Sequence, residues 1–72
     1  MEIFAKRIRE LRTERGLNQE TVANAVGIAQ RTYSGYECGE SEPAQKILVE
    51  LAKFFGVSVD YLLGEEDYVQ PK

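Results

Sequence analysis

The 72-residue chain has no histidine, no tryptophan and a single cysteine, Cys38. One cysteine cannot form an intramolecular disulfide, and without histidine or a second cysteine the usual sets of zinc ligands are missing. The sequence also has no activated-nucleophile pattern and no glycine-rich phosphate loop. We therefore expect no catalytic residues, no metal and no cofactor.

Long apolar runs are missing as well. No stretch approaches the roughly 20 residues that a transmembrane helix needs. The N-terminus alternates charged and apolar residues, whereas a signal peptide has an unbroken apolar stretch of roughly 7–15 residues. These features predict a single small cytoplasmic domain with no membrane partner.

The net charge of −3 argues against a nucleic-acid-binding protein when it is taken alone. Its distribution is uneven, because residues 1–35 carry six basic and four acidic side chains, whereas residues 36–72 carry three and eight. Such a dipolar chain can present a basic face to phosphates while its acidic end faces solvent or a partner.

Apolar residues recur at helical spacing in five segments, and the only alternating stretch, from Val57 to Tyr61, is short. The predicted helices cover residues 2–15, 19–26, 30–37, a fourth with Pro43 in its first turn, and a short fifth after Ser58. We therefore predict an all-α fold, a compact five-helix bundle over residues 1–64, with an acidic, loosely ordered tail over residues 65–72.

Several residues mark the predicted helix ends. Asn18 and Ser58 can cap the second and fifth helices, because their short polar side chains accept bonds from free backbone amides. Ala29 stands at the N-cap of the third helix and offers no such acceptor. Glycines are predicted to stop the first, fourth and fifth helices, at Gly16, Gly56 and Gly64.

Residues 19–38 have the spacing of a helix-turn-helix. Their apolar positions would close two short helices onto one core, and these positions are Val22, Val26, Ile28, Tyr33 and Tyr36. Ala23 is small where the two helices would come closest. Gly27 lies at the joint, where we expect a left-handed backbone conformation.

Further motifs are spread over residues 3–64. They are Leu17-Asn18-Gln19, Val26-Gly27, Gln30, Tyr36-Glu37, Gly39, Leu51-Ala52 and the run from Phe55 to Gly64. In these motifs the chain resembles the DNA-binding domain of lambdoid phage repressors and Cro, the XRE-type helix-turn-helix family. The resemblance implies a sequence-specific transcriptional repressor of phage or bacterial origin, associated with the nucleoid and binding a palindromic double-stranded operator as a homodimer.

In this geometry the third helix enters the major groove. Its outward positions are Gln30, Arg31 and Ser34, with Thr32 and Gly35 beside them. Glutamine can pair with adenine and arginine with guanine, so we expect these positions to read bases, the alternative being an ordinary solvated helix surface. Because a helical glycine costs roughly 1 kcal/mol relative to alanine, Gly35 indicates close approach of DNA or a partner, or a reading position without a side chain.

The resemblance further implies contacts with the DNA backbone. Gln19, at the start of the second helix, would clamp a phosphate, and Thr32, Cys38 and Lys46 would lie near the backbone. The loop of Glu40 and Glu42 departs from relatives that often carry basic residues there, so we expect weaker binding, partly compensated by Lys46.

The resemblance assigns Arg12 and Glu37 to a structural ion pair that locks the third helix to the first. The other basic residues of the first helix are expected to form a solvated face, and these are Lys6, Arg7, Arg9 and Arg15. Among them, Lys6 and Arg9 are candidates for distant phosphate contacts. Candidates for subunit contact lie near the C-terminus, at Val57, Val59, Tyr61 and Leu63.

One alternative function stays open. A protein-interaction module of the same fold, of the antitoxin or antirepressor-partner type, would use the acidic loop and tail to bind another protein. Its candidate residues are Glu40, Glu42 and the acidic run over residues 65–67.

Overall fold

The computed structural model describes residues 2–65, and over these residues the chain has five helices and no strand. The helices are α1 (Glu2–Glu14), α2 (Gln19–Val26), α3 (Gln30–Glu37), α4 (Gln45–Phe55) and α5 (Val59–Leu62). The predicted all-α fold with five helices is confirmed. Apart from Glu65, the predicted tail lies outside the described residues. Over residues 2–65 the structure has no helix with the length and hydropathy of a membrane span.

Local cap chemistry sets most of the helix ends. Asn18 accepts from the Thr21 amide at 2.8 Å, and Ser58 accepts from the Tyr61 amide at 2.9 Å, as predicted. Ala29 has the extended backbone of an N-cap but makes no side-chain cap bond. One boundary prediction is wrong: Pro43 precedes α4, because Ala44 is still extended at ψ 159° and the helix begins at Gln45.

The core joins all five helices. Its fully buried large side chains are Phe4, Ile8, Val22, Tyr33, Leu51, Phe55 and Leu62. The Phe4 and Tyr36 rings meet edge to face with centroids 6.2 Å apart, and the Tyr33 and Tyr36 rings do so at 6.4 Å. Each such pair adds about 0.5–1.5 kcal/mol beyond its buried area. The Phe4–Tyr36 contact fastens α3 against α1, whereas the Tyr33–Tyr36 contact lies within α3.

Two arginines correct part of the predicted solvated basic face: Arg7 in α1, which is half-buried, and Arg15, which follows α1 and stays exposed but bonds a carbonyl. Arg15 Nη2 donates to the Phe55 carbonyl at 2.8 Å, and its guanidinium lies 5.3 Å from the centre of the Phe55 ring. Arg7 donates to the Tyr61 carbonyl, and its guanidinium lies 4.2 Å from the centre of the Tyr61 ring. The last carbonyls of a helix lack intrahelical donors and form its negative end, so cations are stabilised there.

The C-terminal residues predicted for subunit contact do not share one environment. Val57 is buried in the core, whereas Val59 and Tyr61 are partly buried against it. Only Leu63 is among the exposed large apolar side chains, and it lines a surface groove together with Ile3. The alternation of apolar and polar residues from Val57 to Tyr61 therefore reflects the packing of α5 against the core and does not mark an exposed apolar face.

Candidate functional site

The α2–turn–α3 unit has the geometry that the spacing predicts. Gly27 has φ 79°, and the Ile28 amide bonds back to the Ala23 carbonyl at 3.0 Å. A left-handed residue at this point costs glycine little, because it has no Cβ to clash. Ala23 is fully buried where α2 approaches its neighbours. The turn therefore holds α3 in a fixed orientation against α2.

The first turn of α3 points its polar side chains into solvent. Gln30, Arg31 and Thr32 are exposed, whereas Ser34, one turn later, is half-buried. Within residues 2–65, no hydrogen bond or ion pair engages the side chains of Gln30 and Arg31. Both are therefore available to an external ligand, and the arrangement brings them together on one helix end.

Gly35 has a neighbour that the sequence did not indicate. A Cβ at this position would lie 2.9 Å from Ser41 Oγ. The Gly35 carbonyl also accepts bonds from the amides of Glu40 and Ser41, at 3.0 and 3.3 Å. The glycine therefore allows the chain's own loop to fold back onto α3, while the expected approach of DNA or a partner stays a prediction.

The expected pair of Arg12 and Glu37 is present and joins three parts of the chain. Arg12 Nε and Nη2 bond the two carboxylate oxygens of Glu37 at 2.7 and 3.0 Å. Arg12 Nη1 also donates to the Leu17 carbonyl at 2.9 Å. Glu37 is the one buried charged residue in the described chain, with 5% of its surface exposed. The pair therefore ties α1, the α1–α2 turn and the end of α3 together.

Gln19 belongs to the same polar group. Its Nε2 donates to Glu37 Oε1 at 3.1 Å, and the residue is half-buried at the start of α2. Sequence reasoning treated Gln19 and Glu37 separately, one as a phosphate clamp and the other as a structural residue. Both stand in motifs that carry the resemblance, but their separation along the chain gave no sign that the two side chains meet.

Electrostatics keep this group ionised. Burial alone would raise the pKa of Glu37, yet the bonds that it accepts, above all from Arg12, hold its pKa below the ordinary value. The bond to Glu37 in turn raises the pKa of Arg12. The Tyr33 hydroxyl is enclosed nearby without a hydrogen-bond partner in the described chain, and burial, followed by the Glu37 carboxylate, raises its pKa.

The remaining site candidates are scattered around α3. Cys38 is an exposed free thiol directly after α3, and Lys46 is exposed in the first turn of α4. Glu40 and Glu42 are exposed in the intervening loop. Among the described residues, no group of three or more histidine, cysteine, aspartate or glutamate side chains could hold a metal ion.

The chain is similar in sequence and in structure to known helix-turn-helix proteins. A family profile described as Helix-turn-helix matches residues 8–62. The chain is 43% identical over 65 residues to the cryptic phage CTXphi transcriptional repressor RstR of Vibrio cholerae, and 41% identical over 70 residues to the HTH-type transcriptional regulator YobD of Bacillus subtilis. These alignments cover 90% and 97% of this chain, but it spans only 59% and 62% of the lengths of these relatives.

A solved structure matches over a larger share of its own length. It is the crystal structure of the P22 c2 repressor in complex with a synthetic operator. It superposes with a TM-score of 0.85 at 30% sequence identity, and the match covers 92% of this chain and 100% of that one. The five-helix arrangement is therefore shared with a repressor domain.

Proposed function

Because the chain belongs to the helix-turn-helix family, we propose that it is a sequence-specific DNA-binding transcriptional regulator, a repressor that reads the major groove with α3. The observation that carries this proposal is the exposed first turn of α3, where no contact within residues 2–65 engages Gln30 or Arg31. In the helix-turn-helix geometry these are the positions that face base edges. The two relatives described above, a transcriptional repressor and a transcriptional regulator, support a regulatory function.

The proposed roles follow the position of each side chain. Gln30 carries an amide donor and acceptor that suit adenine, and Arg31 carries paired donors that suit the two acceptors of guanine. Ser34 lies one turn further along the same helix. Gly35 offers no side chain to a base, and it lets the loop at Ser41 fold back against the reading helix. The proposed backbone contacts are Gln19, Thr32, Cys38 and Lys46.

We propose that the regulator acts as a homodimer on a palindromic duplex in the bacterial cytoplasm. One reading helix contacts only a few base pairs, and a second half-site about 34 Å away multiplies the affinity through symmetry. Leu63 is the C-terminal candidate that keeps exposed apolar surface for the subunit contact. Selection from a random duplex pool tests this directly, because an enriched palindrome would report class, stoichiometry and half-site spacing together.

Two variants separate base reading from backbone contact. Arg31→Ala should cost about 1–3 kcal/mol on the selected duplex and flatten discrimination at one base position. Gln19→Ala should weaken binding to all duplexes nearly alike, because a backbone contact carries no sequence information. The measurement is a titration of both variants on the selected duplex and its single-base variants. Equal loss on all duplexes for Arg31→Ala would remove this residue from the base-reading set.

A second candidate function rests on the acidic loop. Glu40 and Glu42 are exposed in the loop that follows α3. A protein-interaction module would use these carboxylates to bind a basic partner. The salt dependence of duplex binding distinguishes the two functions, because binding driven by phosphate contacts weakens steeply as salt rises. A chain that selects no duplex at low salt would favour the interaction module.

A further inference from the structure

The side-chain amide of Gln19 is held in one orientation. An ionised carboxylate only accepts hydrogen bonds, so the Gln19 nitrogen, and not its oxygen, must face Glu37. The carboxylate cannot easily turn away, because Arg12 bonds both of its oxygens and it is buried. The second N–H and the oxygen of the Gln19 amide therefore remain available on the side away from Glu37.

We propose that Glu37 is a positioning residue for DNA, which fixes Gln19 in the conformation that contacts the sugar–phosphate backbone. This inference rests on the proposed DNA-binding function. It means that the buried ion pair contributes to the affinity for DNA as well as to the stability of the fold. A free glutamine side chain would have to give up its rotamer freedom on binding. An amide that is already held at 3.1 Å from Glu37 has given up that freedom before DNA arrives.

The ion pair also solves an electrostatic difficulty. A carboxylate next to a phosphate site would repel the phosphate if its charge were uncompensated. Arg12 Nε lies 2.7 Å from Glu37 Oε2, so the two charges largely cancel at a distance. Glu37 can therefore anchor Gln19 without making the surface around α2 more negative.

The test removes the anchor while preserving packing and net charge. Replacing both members of the pair, Arg12→Met with Glu37→Met, exchanges a buried ion pair for apolar side chains of similar length, a change that is often tolerated. It removes one positive and one negative charge, so long-range attraction to DNA stays the same. Combined with Gln19→Ala, it forms a double-mutant cycle in which the affinity for the selected duplex and for an unrelated duplex is measured.

If Glu37 acts through Gln19, the pair replacement should weaken binding roughly 3- to 10-fold on both duplexes, the worth of one well-placed hydrogen bond. In the Gln19→Ala background the same replacement should cause no further loss. A purely structural role predicts equal effects in both backgrounds. Leu48→Ala is the control, because Leu48 is a buried core residue that belongs neither to the polar group nor to the candidate subunit contacts, so the folded variant should keep its affinity.

Two results would overturn the inference while leaving the proposed function intact. These are an unchanged affinity after the pair replacement, and an equal loss with and without Gln19. Failure of the unaltered protein to bind any duplex would instead refute the proposed function itself. If circular dichroism shows that the pair replacement is unfolded, Glu37→Gln takes its place in the double-mutant cycle. Any change in affinity that Glu37→Gln causes must then vanish in the Gln19→Ala background.

Discussion

Breaking the ion pair from one side should strongly destabilise the fold. Arg12→Met removes two bonds to Glu37 and one to the Leu17 carbonyl, and it leaves a carboxylate buried without its cation. Breaking a fully buried pair costs about 3–5 kcal/mol, and because the Arg12 side chain is 15% exposed we expect about 3 kcal/mol. A chain of 72 residues has a free energy of unfolding of only about 4–11 kcal/mol in total.

The loss should depend on pH. In the unaltered protein the pKa of Glu37 lies below its ordinary 4.5, so its ionisation stabilises the fold above that pH and the contribution is lost as the pH falls through the lowered value. In Arg12→Met the buried carboxyl keeps its desolvation but loses its main donor, so its pKa should rise. The variant should then lose stability as the pH rises through the ordinary value.

Urea denaturation followed by circular dichroism measures both effects. The difference in unfolding free energy should be smallest near pH 3 and largest near pH 7. Arg9→Met is the matched control, because Arg9 is an exposed arginine on the same helix, and it should change stability by at most about 0.5 kcal/mol. A difference below about 1 kcal/mol at neutral pH, or one that does not change with pH, would refute this account of the pair.

Two further predictions concern α3. Gly35→Ala should gain little of the roughly 1 kcal/mol of helix propensity, because its Cβ meets Ser41 Oγ at 2.9 Å, and the double variant with Ser41→Ala should recover the gain in thermal unfolding; no difference between single and double variants would contradict this contact. Ala29→Ser supplies the missing N-cap acceptor and should raise the free energy of unfolding by about 1 kcal/mol in urea titrations, whereas an unchanged midpoint would show that the start of α3 needs no cap.

The helices and their caps could be predicted from sequence because their causes are local. Asn18 accepts a bond from the amide three residues on, and Gly27 ends α2 with a left-handed conformation. The placement of Pro43 shows the limit of such reasoning. A proline is equally compatible with the first turn and with the chain just before a helix, so the type of residue alone did not determine the boundary.

Most of the contacts that the sequence did not reveal join positions far apart in the chain. Arg15 and Phe55 are 40 residues apart, and Gln19 and Glu37 are 18 apart. A basic residue on an amphipathic helix looks the same in sequence whether it faces water or the end of another helix. The partner of Gly35 depends on the path of a loop, which local composition does not specify. These contacts follow only from how the helices pack.

The arginines in and just after α1 change how the charge of the chain bears on DNA binding. Arg7 and Arg15 bind carbonyls at helix ends, and Arg12 is neutralised by Glu37. Of the basic residues in the first half of the chain, Lys6, Arg9 and Arg31 are exposed and bond no other described residue, whereas Arg15 is exposed but bonds the Phe55 carbonyl. The excess of positive charge counted there therefore does not correspond to a broad basic face. Attraction to phosphates must then come from a few cations. Because such attraction supplies most non-specific binding, discrimination by the side chains of α3 should count for a larger share of the affinity.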